Sequence, residues 1–412
     1  MLTTEARSAT TSKPSFRFVA VLVLATAIGP FAMQVFIPAL PAMQEAFAVS
    51  AATAQLALSL SALAIAVATL FYGPLSDRLG RRPALIAGLV VYLAGSALCA
   101  LAPTMGTLIV GRIVQAAGGC AGIVLTRAIV RDLYGLEQSA KVLAYITMAM
   151  VVAPTIAPAL GGLLTDALGW RWVFWVGALV GVLILLAVRA ELTETAPPSR
   201  TARARPALGD FRHLLRSPRF LGYALQGAFS IAVFYAYLAA APYLMLRVMH
   251  RPASEFGLMS VLVSLAFMAG NYAAARLTAR AGTNRMILLG SVGSLGGTLL
   301  LFALLLAGFW TPWALFLPTS LTAFCQGLAL PNTQAAFVNV DPQAAGTASG
   351  LGGFLQMAVA ALAAQLVGSI QNGTPYPMAV GMTLCATAAL TAALVALRHD
   401  RARRPGHRPR TR

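Results

Sequence analysis

Twelve apolar runs, each 20 to 28 residues long, occupy the chain almost end to end, at about 17–40, 52–75, 83–102, 106–131, 139–166, 170–190, 219–246, 255–279, 285–308, 312–337, 345–370 and 376–398. A helix crosses the hydrocarbon core of a bilayer with about 20 apolar residues, so each run is of crossing length. Hydrophobic residues make up 58% of the 412 and charged ones only 10%. A soluble domain carries about 25% charged residues, which places this chain outside that class. The fold class expected is an all-α membrane protein of twelve transmembrane helices.

Orientation follows from lysine and arginine, which accumulate on the cytoplasmic side. With residues 1–16 placed inside as a tail, 26 of the 30 basic residues fall in cytoplasmic segments or helix ends. Arg171, Arg247 and Arg251 fall outside, and Arg112 lies within a run. Both termini are therefore expected in the cytoplasm. The net charge of +18 follows this pattern, so nucleic acid is not an expected partner. The basic end, 399–412, is positioned to meet anionic lipid. The first run has no signal-peptidase site and is read as a retained helix. Cys99, Cys120, Cys325 and Cys385 all fall inside apolar runs, without metal-ligand spacing, and are expected as buried free thiols.

The one long charged interruption, 191–217, carries Pro197-Pro198 and a run of arginines. It divides the chain into bundles at 17–190 and 218–398, each of six helices. The halves also echo one another: Arg276-Leu-Thr-Ala-Arg-Ala-Gly282 after the eighth run repeats Pro74-Leu-Ser-Asp-Arg-Leu-Gly80 after the second, with Ala279 where the first copy has Asp77.

Between the second and third runs stands Gly73-Pro-Leu-Ser-Asp77-Arg78-Leu-Gly80-Arg81-Arg82-Pro-Ala-Leu85. One carboxylate among three arginines can pair in one conformation and release in another. Gly80 permits the tight turn, and Gly73 is expected to allow a close helix approach. This segment resembles the signature loop of major facilitator superfamily transporters. The resemblance implies two six-helix bundles related by a pseudo-two-fold axis, with a substrate site near the midplane between them.

Other segments are similar to the same family. Arg112 and Gln115 in the fourth run resemble its helix 4 motif. Arg112 is read as a cation facing the substrate cavity, with snorkelling to the outer interface as the alternative. In the fifth run, Ala157-Pro158-Ala-Leu-Gly161-Gly162 resembles the motif associated with antiporters. Phe36-Ile-Pro38-Ala-Leu-Pro41, Arg127-Ala-Ile-Val-Arg-Asp132, Phe234-Tyr235-Ala-Tyr237 and Ala345-Gly346-Thr-Ala-Ser349-Gly350 narrow the likeness to the Bcr/CflA drug-resistance exporters. The resemblance implies Gln34, Arg112, Gln115, Tyr235, Tyr237 and Gln356 as candidate substrate contacts. It implies Gly73, Asp77, Arg78, Gly80, Arg81, Arg82, Asp132, Pro158, Gly161 and Gly162 as candidate gating or coupling residues.

One departure bears on energetics. Members of that group carry an Asp where this chain has Gln34. All twelve acidic residues fall in loops, tails or helix ends, and the four histidines are outside the apolar runs as well. A proton carrier at the midplane is therefore missing. Coupling is expected through an end-of-helix acid (Asp77, Asp132 or Asp166) or not at all.

The expected activity is secondary export of drugs or small amphiphilic metabolites across a bacterial inner membrane. It needs no cofactor, takes the proton gradient as its energy source, and is carried out by a monomer whose partners are a small-molecule substrate and the bilayer. A facilitator or importer of a neutral or anionic solute is the alternative. An enzyme is not expected, since no run carries a catalytic carboxylate pair or a metal-binding histidine pair.

Overall fold

The computed structural model describes residues 16–133, 136–195, 208–341 and 344–403. Among the described residues there are twelve long helices. The first six are α1 (Phe16–Val35), α2 (Ala51–Leu79), α3 (Arg81–Ala100), α4 (Met105–Leu133), α5 (Leu136–Leu168) and α6 (Arg171–Glu191). The second six are α7 (Pro218–Tyr243), α8 (Ala253–Ala281), α9 (Thr283–Leu306), α10 (Pro312–Val338), α11 (Ala345–Ser369) and α12 (Tyr376–Arg403). Eleven are long and apolar enough to cross a membrane, and α5 contributes the apolar segment Val152–Leu168.

Three expected boundaries change. The first run does not remain one α-helix to residue 40. Pro38 and Pro41 sit at the first turns of a 3-10 turn, Ile37–Ala39, and of a short helix, Leu40–Ala46. Proline lacks the N–H that a continuing α-helix needs, but it fits a first turn. The 191–217 segment is not loop throughout: Leu208–Leu215 is helical, and Leu214 is buried in the cluster formed by Phe220, Tyr223 and Phe337. Finally, α12 continues past residue 398 to Arg403, where Asp400 is held by Arg219 and Asn284.

The packing repeats. In the first half α1 packs on α4, α5 and α6, α3 packs on α4 and α6, and α2 packs on α4. The same pairs recur six helices later: α7 with α10, α11 and α12, α9 with α10 and α12, and α8 with α10. The halves meet through α2 against α11 and α5 against α8, an exchange that a two-fold relation requires. The register is also preserved. Gly80 and Gly282 are both left-handed, at φ +98° and +86°, and both donate their N–H to the residue four back, Ser76 or Thr278. Gly95 lies against Gln115 as Gly297 lies against Thr322. The offset is thus 202 through α3 and 207 in α4, because α9 is 24 residues long and α3 is 20, with one further residue in the loop that follows.

Twelve alternating helices put Phe16 and Arg403 on one side, called here the terminal face; the other is the distal face. Among the described residues, every hydrogen bond and ion pair found between the halves is toward the distal face. Ser59 donates to Gln365 at 2.7 Å, and Gln365 donates to the Ala52 carbonyl at 3.1 Å. Arg247 pairs with Glu45 at 3.3 Å. The Asp166 carboxylate accepts the N–H groups of Ala253 and Ser254, at 3.3 and 2.8 Å.

Candidate transport site and gates

The loop between α2 and α3 builds an ion cluster at the terminal face. Arg81, the first residue of α3, is 7% exposed. Its guanidinium meets Asp77 at 2.5 Å, Asp132 at 2.9 Å and the Ser76 hydroxyl at 2.5 Å. Gly80 makes this possible, since its left-handed backbone turns the chain within one residue and brings positions 77 and 81 back together. Asp77, Arg81 and Asp132, three of the candidate gating or coupling residues, are thus joined. All of them belong to the first half, so the cluster ties α2, α3 and α4 to one another and not to the second half.

The loop has a further anchor, for which no local motif is a signal. Glu194, just beyond α6, accepts the backbone N–H of Arg81 at 2.9 Å and of Arg82 at 3.2 Å. These are orphan donors of a helix start, where a carboxylate is also favoured by the helix dipole. Arg82 donates to the Arg189 carbonyl at 3.0 Å. Arg78 takes no part: it is exposed, without a hydrogen bond or ion pair among the described residues. Gly73 also departs from expectation. A Cβ there would meet nothing within 4 Å, so no close approach depends on it.

At the distal face the α5 motif closes the seam. A Cβ on Gly161 would strike the Val35 carbonyl of α1, and one on Gly162 would strike the Ala253 carbonyl of α8. Gly257 of α8 lies against the Pro158 carbonyl, so backbone meets backbone across the two halves. Pro154 and Pro158 are accommodated within an unbroken α5.

Arg112 is only 1% exposed, so it neither snorkels to an interface nor faces an open cavity in this conformation. Its guanidinium donates to the Ala32 carbonyl at 3.2 Å, to the Gln115 amide oxygen and to the Met33 sulfur at 3.3 Å. It also stacks on Phe36, 3.8 Å from the ring centroid. Gln115 passes the chain on to Ser96 at 2.8 Å. The titratable neighbours of Arg112 are the neutral Cys99, Tyr92 and, from the second half, Tyr235. The cation is therefore held by one backbone carbonyl, an amide oxygen, a thioether sulfur and a π face, and among the described residues it meets no carboxylate and its Nε has no partner. Gln34 is half-buried and is not among those partners, although its neighbours Ala32 and Met33 are.

The second half offers neutral groups. Tyr237 is 1% exposed, within a ring cluster of Phe234, Phe256 and Phe316, with Ser260 as the polar neighbour of its hydroxyl. The Tyr235 hydroxyl reaches Met357 at 3.9 Å. Gln356 is buried, with its amide nitrogen unpaired. Nearby, Gln226 bonds Ser230 at 2.9 Å, Ser291 at 3.1 Å and Thr333 at 2.5 Å. By the repeat register Thr319 stands where the first half has Arg112, so the buried cation is not duplicated. All four cysteines are free thiols; Cys99, Cys120 and Cys325 are buried as expected, whereas Cys385 is only half-buried.

Comparison with known proteins decides the family. The family model described as Major Facilitator Superfamily matches residues 22–364. The chain belongs to the Major Facilitator Superfamily. It is 28% identical to a bicyclomycin resistance protein homolog of Haemophilus influenzae, over 90% of this chain and 94% of that one. It is also 28% identical to multidrug resistance protein D of Escherichia coli, over 81% and 84%. Among solved structures, a bacterial homolog of the human lysosomal transporter Spinster superposes with a TM-score of 0.70 at 17% identity, covering 94% of this chain and 95% of that one. The xylose transporter XylE of E. coli superposes with a TM-score of 0.72 at 12% identity, covering 93% and 97%. These likenesses establish the fold. This superfamily member is a multi-pass membrane transporter of small molecules, not an enzyme.

Proposed function

We propose that this transporter exports drugs or small amphiphilic metabolites from the cytoplasm by alternating access, in antiport with protons. The observation that carries the export reading is the near full-length similarity to proteins named for bicyclomycin and multidrug resistance. The placement of lysine and arginine supports a bacterial inner-membrane topology with the terminal face in the cytoplasm. In that orientation the structure is sealed on the outside, by Asp166 on α8, Glu45 with Arg247, and the Gly162–Ala253 contact. Opening outward then requires these contacts to part while the Arg81 cluster keeps the first half intact. One chain supplies both halves of the path, so a monomer suffices.

The substrate class follows from charge. A buried cation with no counter-carboxylate repels a second cation, and in a low-dielectric interior that repulsion is large. Neutral or anionic amphiphiles fit, as do the neutral amphenicol-type antibiotics implied by the Bcr/CflA resemblance. Among the acids considered for coupling, Asp166 is the one that bonds across the halves, so its protonation acts directly on the outer seal.

A susceptibility panel tests the reading, comparing cells with and without overexpression and with and without a proton uncoupler. Increased resistance to neutral antibiotics that the uncoupler removes is expected. Unchanged susceptibility across the panel rejects drug export. Resistance insensitive to the uncoupler favours the uncoupled facilitator.

A further inference from the structure

Toward the distal face, among the described residues, α2 and α11 are joined by neutral groups. Positions 52, 55 and 59 share one face of α2. The two flanking positions bond directly across the halves: Gln365 donates to the Ala52 carbonyl at 3.1 Å and accepts from Ser59 at 2.7 Å. Gln55, between them, is only 3% exposed. Its stem lies against α11, since a Cβ on Gly368 would meet its Cγ at 2.6 Å. Its amide nitrogen is buried and without a partner. Just beyond α11, the Gln371 amide is oriented by donating to the Ala239 carbonyl of α7 at 3.2 Å. That orientation leaves the Gln371 oxygen buried and also without a partner. A donor from the first half and an acceptor from the second thus line one cavity of about 20 Å³, together with Gln44 and Tyr243.

We propose that this cavity binds a single water molecule that joins Gln55 to Gln371 and acts as a latch between the two halves. The volume suits one molecule, since a water needs at least about 10–15 Å³ of such space and two to four polar partners. It is far too small for a drug-sized ligand, whose pockets run to about 300–1,000 Å³. Buried amide groups are costly to leave unpaired, so both are satisfied when the seam is closed. A water accepts from the Gln55 N–H and donates to the Gln371 oxygen at once, whereas a bare cation or anion serves only one of the two. Its anchors belong to different halves. The bridge therefore forms only while the distal face is closed, and it stabilises that conformation. When the halves part, both amides pass to bulk water.

Two readouts on the purified full chain test the latch. A crystallographic or cryo-electron map of the unmodified protein, closed at the distal face and fine enough to show ordered water, should show one density peak within hydrogen-bond reach of both Gln55 Nε2 and Gln371 Oε1. Spin labels at Ala46 and Ser369, one on each half, report the ratio of closed to open distal faces in nanodiscs. Gln55→Met and Gln371→Met keep the side-chain length but break the bridge. Each should lower the closed-to-open ratio about fivefold, the net worth of one hydrogen bond. The double variant should fall no further than either single one, because both remove the same interaction. Gel filtration of each variant checks folding, and the map of the unmodified protein does not depend on it. The proposal is overturned if the map shows a dry cavity or a direct bond between the two amides, if neither methionine variant changes the ratio, or if the two losses add in full in the double variant.

Discussion

Asp77→Asn separates a gating role from a structural one. The Asp77 side chain is 40% exposed, whereas Arg81 is 8% exposed and keeps Asp132 at 2.9 Å and Ser76 at 2.5 Å when Asp77 loses its charge. Asparagine preserves the shape and one acceptor. An ion pair with a partner this exposed contributes about 0–1 kcal/mol, so thermal unfolding of the purified variant should shift little. Arg81→Ala removes every cluster contact at once and should destabilise the first half markedly more. Transport is expected to behave otherwise. If the half-exposed carboxylate finds a second partner when the terminal face closes, its loss shifts the balance between conformations by about 1–3 kcal/mol, or roughly 5- to 150-fold. The assay pairs melting curves with drug efflux at matched expression. Near-native melting with efflux down at least about fivefold is the expected result. Normal efflux by Asp77→Asn refutes the argument, as does a melting loss as large as that of Arg81→Ala.

Three further outcomes are expected. Gly162→Leu should hold α5 and α8 apart, because any Cβ there meets the Ala253 carbonyl; a cysteine pair placed across the distal seam should then lose its crosslink and efflux should fall. Gln34→Asp should extend the range to cations and strengthen dependence on the proton gradient, measured as ethidium efflux at two external pH values; efficient ethidium export by the unmodified protein contradicts the charge argument. Cysteines at positions 200 and 405 should resist an impermeant reagent added outside intact cells, and labelling there reverses the proposed topology.

Much of the fold is legible because hydropathy and helix length are local properties. The second, third and fourth runs, for example, end within a few residues of α2, α3 and α4. The Gly80–Gly282 echo was visible for the same reason, as a turn's chemistry lies in adjacent residues. The Asp77–Arg81 pair was readable within one motif, and Asp132 joined it through its position at the same membrane face. Contacts set by packing were not readable. Glu194 reaches Arg81 across 113 residues, and Asp166 reaches Ser254 across 88, with no periodicity linking either pair. The partners of Arg112 were not readable either, because depth along a helix does not say which face a residue occupies; in this conformation α1 covers the guanidinium with Ala32, Met33 and Phe36. The place of Gly73 in its motif does not report a packing contact, since open space lies beside it.

Export is tested most directly in inside-out vesicles carrying only this transporter, by measuring accumulation of a neutral amphenicol under an imposed pH gradient, acid inside. The account predicts uptake against the drug's own gradient that collapses when an uncoupler is added, with little uptake of ethidium. Equilibration without accumulation, unchanged by the pH gradient, would contradict it and identify a facilitator.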